Sequence, residues 1–172
     1  MAITIMLSIV QVNFGQTIYE IVSSKMTIAG TSNVHNWVSD VTKITATADL
    51  SMEGTHLKSL NAFAVSIPVN SIISSSGSIM DKKTYSALKS SDYPTIGYKL
   101  IKVTNIEKKD NEYTIKTTGH LSIAGVTKTI TMNVKGKRLN DDSWQFEGTQ
   151  KLLMTDYGIR SPHRTDGNNA HR

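Results

Sequence analysis

The chain has 172 residues, a formal net charge of +5 and no cysteine. This length suits one domain and is enough to bury a hydrophobic core without disulfides. The lack of cysteine in the sequence excludes thiolate catalysis and cysteine-ligated metal sites, but it leaves the cellular compartment open. Charged residues make up 19% and hydrophobic residues 38%, which excludes a disordered chain and a multi-span membrane protein.

The composition favours β-structure, because 20 Thr, 18 Ile and 11 Val are β-branched. It predicts an antiparallel all-β domain with one helix. The basic residues are scattered, and their densest groups are Lys108-Lys109 and the run from Lys135 to Arg138. We interpret these groups as solvated hairpin tips, with weak attraction to an anionic membrane surface as the alternative. A basic stripe with interleaved aromatics is absent from the sequence, so we expect no nucleic-acid partner.

The N-terminus resembles an export signal. Residues 2–10 are almost all apolar, too few to span a bilayer, and suit the middle of a secretory signal peptide, although no basic leader precedes them. We therefore predict a signal peptide over residues 1–16, a domain over residues 17–159 and a periplasmic or secreted location. A first buried strand is the alternative interpretation.

Alternation of apolar and polar residues predicts the strands, and one stripe predicts a helix. The helix is expected over residues 80–90, since Met80, Thr84, Ala87 and Leu88 share one face. Turns are expected at Asp110-Asn111, Ala124-Gly125 and residues 140–142. Strands are predicted over residues 19–30 (as one bent strand or two short ones), 41–50, 57–69, 95–103, 112–123, 126–134 and 144–154.

Catalytic motifs are missing from the sequence. The histidines lack metal-binding spacing, and we find no nucleophile elbow, phosphate-binding loop or inward pair of carboxylates. We therefore predict no enzyme, no metal and no cofactor. A hydrolase or isomerase built on His35 and His120, which could meet in space, is the minor alternative.

Four motifs, in order, resemble those of the YceI-like proteins. They are G-T-S-N-V-H-N-W at residues 30–37, M-D-K-K-T-Y-S-A-L-K-S-S-D-Y-P-T-I-G-Y at 80–98, G-H-L-S-I-A-G-V-T-K-T-I-T-M-N-V at 119–134 and M-T-D-Y-G-I at 154–159. No single motif is specific, but four with matching spacing are.

The resemblance implies an antiparallel, lipocalin-like β-barrel of about eight strands with one inserted helix. It also implies a long apolar ligand inside the barrel, a polyisoprenoid or an isoprenoid quinone, and export from the cytoplasm. A barrel with a filled core, acting as a structural or partner-binding module, is the alternative. Bulky side chains expected on the inner face are the candidate ligand lining: Phe63, Val65, Ile67, Tyr98, Leu100, Tyr113, Ile115, Ile130, Met132 and Phe146.

The C-terminus departs from the family. Residues 160–172, R-S-P-H-R-T-D-G-N-N-A-H-R, contain one apolar residue and cannot form a buried strand, whereas the family continues with a strand that closes the barrel. A shifted reading frame of one permitted codon set resembles that continuation, which favours a frameshift as the origin of a disordered tail. We therefore expect the closing strand to be missing and the open edges to allow a homodimer. Alternatively, residues 3–12 fill the gap.

Overall fold

The computed structural model describes residues 1–13, 17–31, 36–139 and 143–159. These ranges contain ten strands, one α-helix and two 3-10 helices, Val69–Ser71 and Met154–Tyr157. The elements are β1 (Ala2–Asn13), β2 (Thr17–Thr31), β3 (Asn36–Val41), β4 (Thr45–Glu53), β5 (His56–Pro68), β6 (Ile72–Ser74), α1 (Ser78–Ala87), β7 (Thr95–Lys109), β8 (Glu112–Ile123), β9 (Val126–Arg138) and β10 (Trp144–Lys151).

Eight strands form a closed antiparallel barrel in the order β1-β10-β9-β8-β7-β5-β4-β2. The ring closes because β1 pairs on both sides. One ladder runs from Ala2↔Lys151 to Ile9↔Trp144, and the other from Ala2↔Ala29 to Asn13↔Thr17. The predicted all-β, lipocalin-like barrel with one inserted helix is therefore confirmed.

The prediction that the closing strand is missing is wrong. β1 occupies the gap, which is the alternative arrangement considered for residues 3–12. Ile3 and Leu7 point into the barrel and are only 6% and 1% exposed. The same apolar run suits a strand and a signal peptide, so hydrophobicity alone does not separate them. Export and cleavage of residues 1–16 stay a prediction, and the tail at 160–172 lies outside the described residues.

A small flap, formed by the second half of β2 together with β3 and β6, extends one end of the barrel. The first half of β2 pairs with β4 through Ile18↔Asp49, and its second half pairs with β3 through Thr27↔Asp40. β6 adds to the free side of β3. Because α1 contacts β6, the flap places the helix at this end of the barrel, which we call the helix end.

Two predicted turns are confirmed, and two strands are clearly longer than predicted, β7 and β9. β9 continues to Arg138, so the basic run from Lys135 to Arg138 lies within a strand and not in a hairpin tip. Asp110, Ala124 and Gly125 have φ angles of 54°, 50° and 82°, which is the left-handed conformation that tight turns use. The third turn, at residues 140–142, lies outside the described residues. β7 continues to Lys109 because two register shifts, after Leu100 and after Val103, break its alternation without ending its ladder with β8.

The opposite end of the barrel, which we call the aromatic end, is filled by side chains. The rings of Tyr113 and Trp144 have centroids 5.5 Å apart, and those of Trp144 and Phe146 are 5.9 Å apart. Trp144 and Ile115 are completely buried. In the described ranges, no helix has the length and hydropathy that crossing a bilayer requires.

If β1 closes the barrel, Leu7→Ala lowers the free energy of unfolding by about 2–5 kcal/mol, because it leaves a cavity in the core. Met6→Ala, on the exposed face of the same strand, is the matched control and should change it by less than about 0.5 kcal/mol. Urea denaturation of the full chain measures both. Equal, small effects would mean that β1 does not pack as described.

Candidate functional site

A cavity of about 260 Å³ lies at the helix end of the barrel. Its lining is mostly apolar, with polar contributions from Ser39, Ser74, Lys83 and Thr84. The walls come from the flap, α1, the barrel strands and the segment after β10. The apolar lining consists of Met1, Ile28, Trp37, Ile72, Met80, Ala87, Leu88, Ile96, Ile123, Met154 and Ile159.

Helix α1 forms one wall through the stripe that the sequence predicts. Met80, Thr84, Ala87 and Leu88 all line the cavity. The helix begins at Ser78 and ends at Ala87, slightly earlier than predicted. Its apolar face therefore does not fill the barrel interior but borders an open space.

Two side chains anchor α1 to the flap and the adjoining turn. The Ser74 N–H donates a hydrogen bond of 2.7 Å to Asp81 Oδ1. The Tyr85 hydroxyl lies 3.1 Å from the carbonyl oxygens of both Asn70 and Ile72. Burial, with the Asp81 charge as a smaller cause, raises the pKa of Tyr85.

The ten predicted lining residues lie on the inner face but do not line this cavity. Val65, Ile67, Tyr113, Ile115 and Phe146 are buried in the core, and the other five are half-buried. The structure brings four of the ten together around a second cavity of about 30 Å³, which is about the space of one water molecule. Those four are Phe63, Tyr98, Met132 and Phe146.

All four sequence motifs contribute residues to the lining of the larger cavity. Trp37 belongs to the first, Ile96 to the second, Ile123 to the third, and Met154 and Ile159 to the fourth. Alternation along the strands does not identify these residues, because it shows which face is inward but not where the interior is empty. Their place in the motifs is the signal that could have found them.

The first motif has a clear packing reason. Gly30 and Trp37 are directly opposite in the β2–β3 ladder. A Cβ atom at Gly30 would collide with the Trp37 ring. The glycine thus lets the indole lie across β2, where it forms part of the cavity wall.

The histidine hypothesis finds no support at His120, whose exposed side chain lies outside the cavity with its Nδ1 3.3 Å from Thr129 Oγ1. His35 lies outside the described residues. Within the described ranges, no group of three His, Asp or Glu side chains is placed to hold a metal ion.

The comparisons with known proteins agree with this geometry. A family model for the YceI-like domain matches residues 12–170. The chain belongs to the YceI-like family. This family has a barrel fold that often binds lipids, and its members are generally binding proteins rather than enzymes.

Two of the solved structures compared share this fold, and a third is more distant. The YceI protein of Campylobacter jejuni is 23% identical over 76% of this chain and 74% of its own, with a TM-score of 0.56. A variant of that protein with a monobromobimane guest has a TM-score of 0.55 and the same identity and coverage. BcnA of Burkholderia cenocepacia is 12% identical over 87% of this chain and 96% of its own, with a TM-score of 0.42. The comparison with curated proteins gives no match.

Tyr157, in the fourth motif, is buried without a hydrogen-bond partner for its hydroxyl among the described residues. Burial, with the Asp156 charge as a smaller cause, raises the pKa of this phenol. A buried hydroxyl without a partner costs about 1–3 kcal/mol relative to a hydrated one.

Tyr157→Phe should therefore raise the free energy of unfolding by about 1 kcal/mol at pH 7, as measured by urea denaturation. The pKa of Tyr157 is raised in the folded protein, so above a pH of about 10 the phenol ionises more readily in the unfolded chain than in the folded one. The wild-type protein therefore loses stability as the pH rises, and Tyr157→Phe, which has no phenol to ionise, should lose less. Tyr85→Phe, which removes a bonded hydroxyl, should be destabilised by about 1 kcal/mol. A Tyr157→Phe variant destabilised as much as Tyr85→Phe would show that the Tyr157 hydroxyl has a partner.

Proposed function

We propose that this chain is a lipid-binding protein that holds the end of an isoprenoid chain in the cavity at the helix end. One observation carries the proposal: the apolar cavity is built by residues from all four motifs. An apolar chain in this space would replace water at an apolar wall and gain about 25 cal/mol for each Å² buried. No catalytic step is part of this proposal.

The cavity volume limits how much of a ligand enters. An apolar protein cavity of about 150 Å³ holds one benzene ring, so 260 Å³ has room for about ten carbon atoms, or about two isoprene units. A longer polyisoprenoid or an isoprenoid quinone would insert its tail and leave the remainder at the opening. Lys83 is exposed at the edge of the lining, where a polar head group would stay hydrated.

Two exposed apolar side chains support contact with a membrane surface as part of the proposal. Ile79 is 72% exposed and precedes Met80, while Leu153 is 67% exposed and precedes Met154. Both methionines line the cavity, so the exposed neighbours flank it. We propose weak association with a lipid surface there. A periplasmic or secreted location also stays a proposal, and it requires export without cleavage of residues 1–16, because β1 closes the barrel and Met1 lines the cavity. A homodimer stays a prediction, although β1 closes the barrel edges from which that prediction was made.

The alternative function is a ligand-free structural or partner-binding barrel. The filled aromatic end favours it, since Trp144 and Ile115 leave no open channel along the whole barrel axis. The two functions differ in what the helix-end cavity contains. The ligand-binding proposal requires an apolar guest there, and the alternative requires none.

Filling the cavity should weaken binding. Ala87→Trp places an indole in the cavity and should weaken binding of geraniol, a ten-carbon isoprenoid alcohol, at least about tenfold, since most of its buried area is lost. Ser86→Trp is the matched control, because Ser86 is exposed and does not line the cavity. Isothermal titration calorimetry of the full chain measures both.

Organic extraction of the purified wild-type protein, followed by mass spectrometry, should yield a prenyl lipid that the Ala87→Trp variant lacks. The proposal fails if wild-type protein yields no lipid and does not bind geraniol. An extract dominated by a straight-chain lipid would support lipid binding but would show that the ligand is not an isoprenoid.

A further inference from the structure

We propose that Tyr98 sets the length of the apolar chain that this barrel accepts. The inference rests on the proposed function and extends it to a second compartment. Tyr98 forms most of a partition between the cavity at the helix end and the smaller cavity toward the aromatic end.

The two cavities approach each other along β7. Ile96 lines the larger cavity and Tyr98 lines the smaller one. They are successive inward positions on one strand, so their Cα atoms are about 7 Å apart. One layer of side chains therefore separates the two spaces at this strand.

Three residues on adjacent strands form this layer. Val65 is opposite Tyr98 in the β5–β7 ladder, and Leu121 is opposite Tyr98 in the β7–β8 ladder. Directly opposed side chains lie on the same face of a sheet, so all three point into the barrel. Val65 and Leu121 are buried and line neither cavity. Tyr98 is the largest of the three.

The Tyr98 ring occupies space that Gly119 leaves empty. A Cβ atom at Gly119 would collide with this ring. The hydroxyl makes one long hydrogen bond, 3.4 Å, to Thr117 Oγ1, and the Phe63 ring centroid is 6.1 Å from that of Tyr98. The Tyr98 ring therefore lies over Gly119, and its contacts with Thr117 and Phe63 are weak.

The backbone pairing of β7 becomes irregular next to Tyr98. The β5–β7 ladder ends at Ala64↔Lys99, one residue beyond Tyr98, and a register shift follows Leu100 in the ladder with β8. Rotation of the ring away from Gly119 would add the space above this glycine to the smaller cavity. A chain that fills the first compartment can then advance only by displacing the Tyr98 ring.

This arrangement predicts a break in affinity with chain length. Each methylene buried in the larger cavity should lower Kd about fourfold, and this gain should stop near about ten carbons, where the chain meets Tyr98. In Tyr98→Ala the gain should continue for about two to four further carbons. Saturated fatty acids of about eight to sixteen carbons, titrated into the full chain by calorimetry, measure the break.

Tyr98→Phe is the matched control, because it keeps the ring and removes the hydroxyl. It should break at the wild-type length. If Tyr98→Ala does not fold by circular dichroism, Tyr98→Leu removes the ring while keeping an apolar side chain and should show the same extension.

The inference is overturned if the wild-type protein shows no break, or if the ring-free variant breaks at the wild-type length. Failure of the wild-type protein to bind both these fatty acids and geraniol would instead contradict the proposed function.

Discussion

The two backbone ladders of β1 are the constraint on which the rest of the structure depends. They satisfy the edges of β2 and β10, which would otherwise present unpaired N–H and C=O groups. They also place Ile3 and Leu7 in the core. Hydrogen bonds between the backbones of Met1 and Leu152 continue the closure to the helix end, where Met1 lines the cavity. The N-terminal segment that closes the barrel therefore also forms part of the cavity wall.

The four family motifs are far apart in the chain but meet at the helix end. Each contributes through local packing. Gly30 has no side chain, which leaves space for the Trp37 ring. Hydrogen bonds of Asp81 and Tyr85 hold the helix against its neighbours. The segment after β10 places Met154 and Ile159 in the cavity wall. This convergence explains why a barrel whose other end is filled with aromatic side chains keeps an open apolar space here.

Much of the fold follows from the sequence, and less of the site does. β8 and the start of β9 are predictable because their alternation is unbroken and the turn between them contains Gly125, which adopts positive φ. The end of β7 is not, because bulges interrupt its period. Alternation also placed Ile115 and Met132 on the inner face but could not show that the first is buried in filled core while the second borders a gap. That difference depends on packing between strands distant in sequence.

Amide hydrogen exchange of β1 tests closure most directly. In the full-length protein, the amides of residues 3–8 should be protected to within about tenfold of those in the central part of β8, because both sets lie in ladders on two sides. Exchange of residues 3–8 at the rate of an unstructured peptide, with β8 still protected, would contradict a barrel closed by its N-terminal strand.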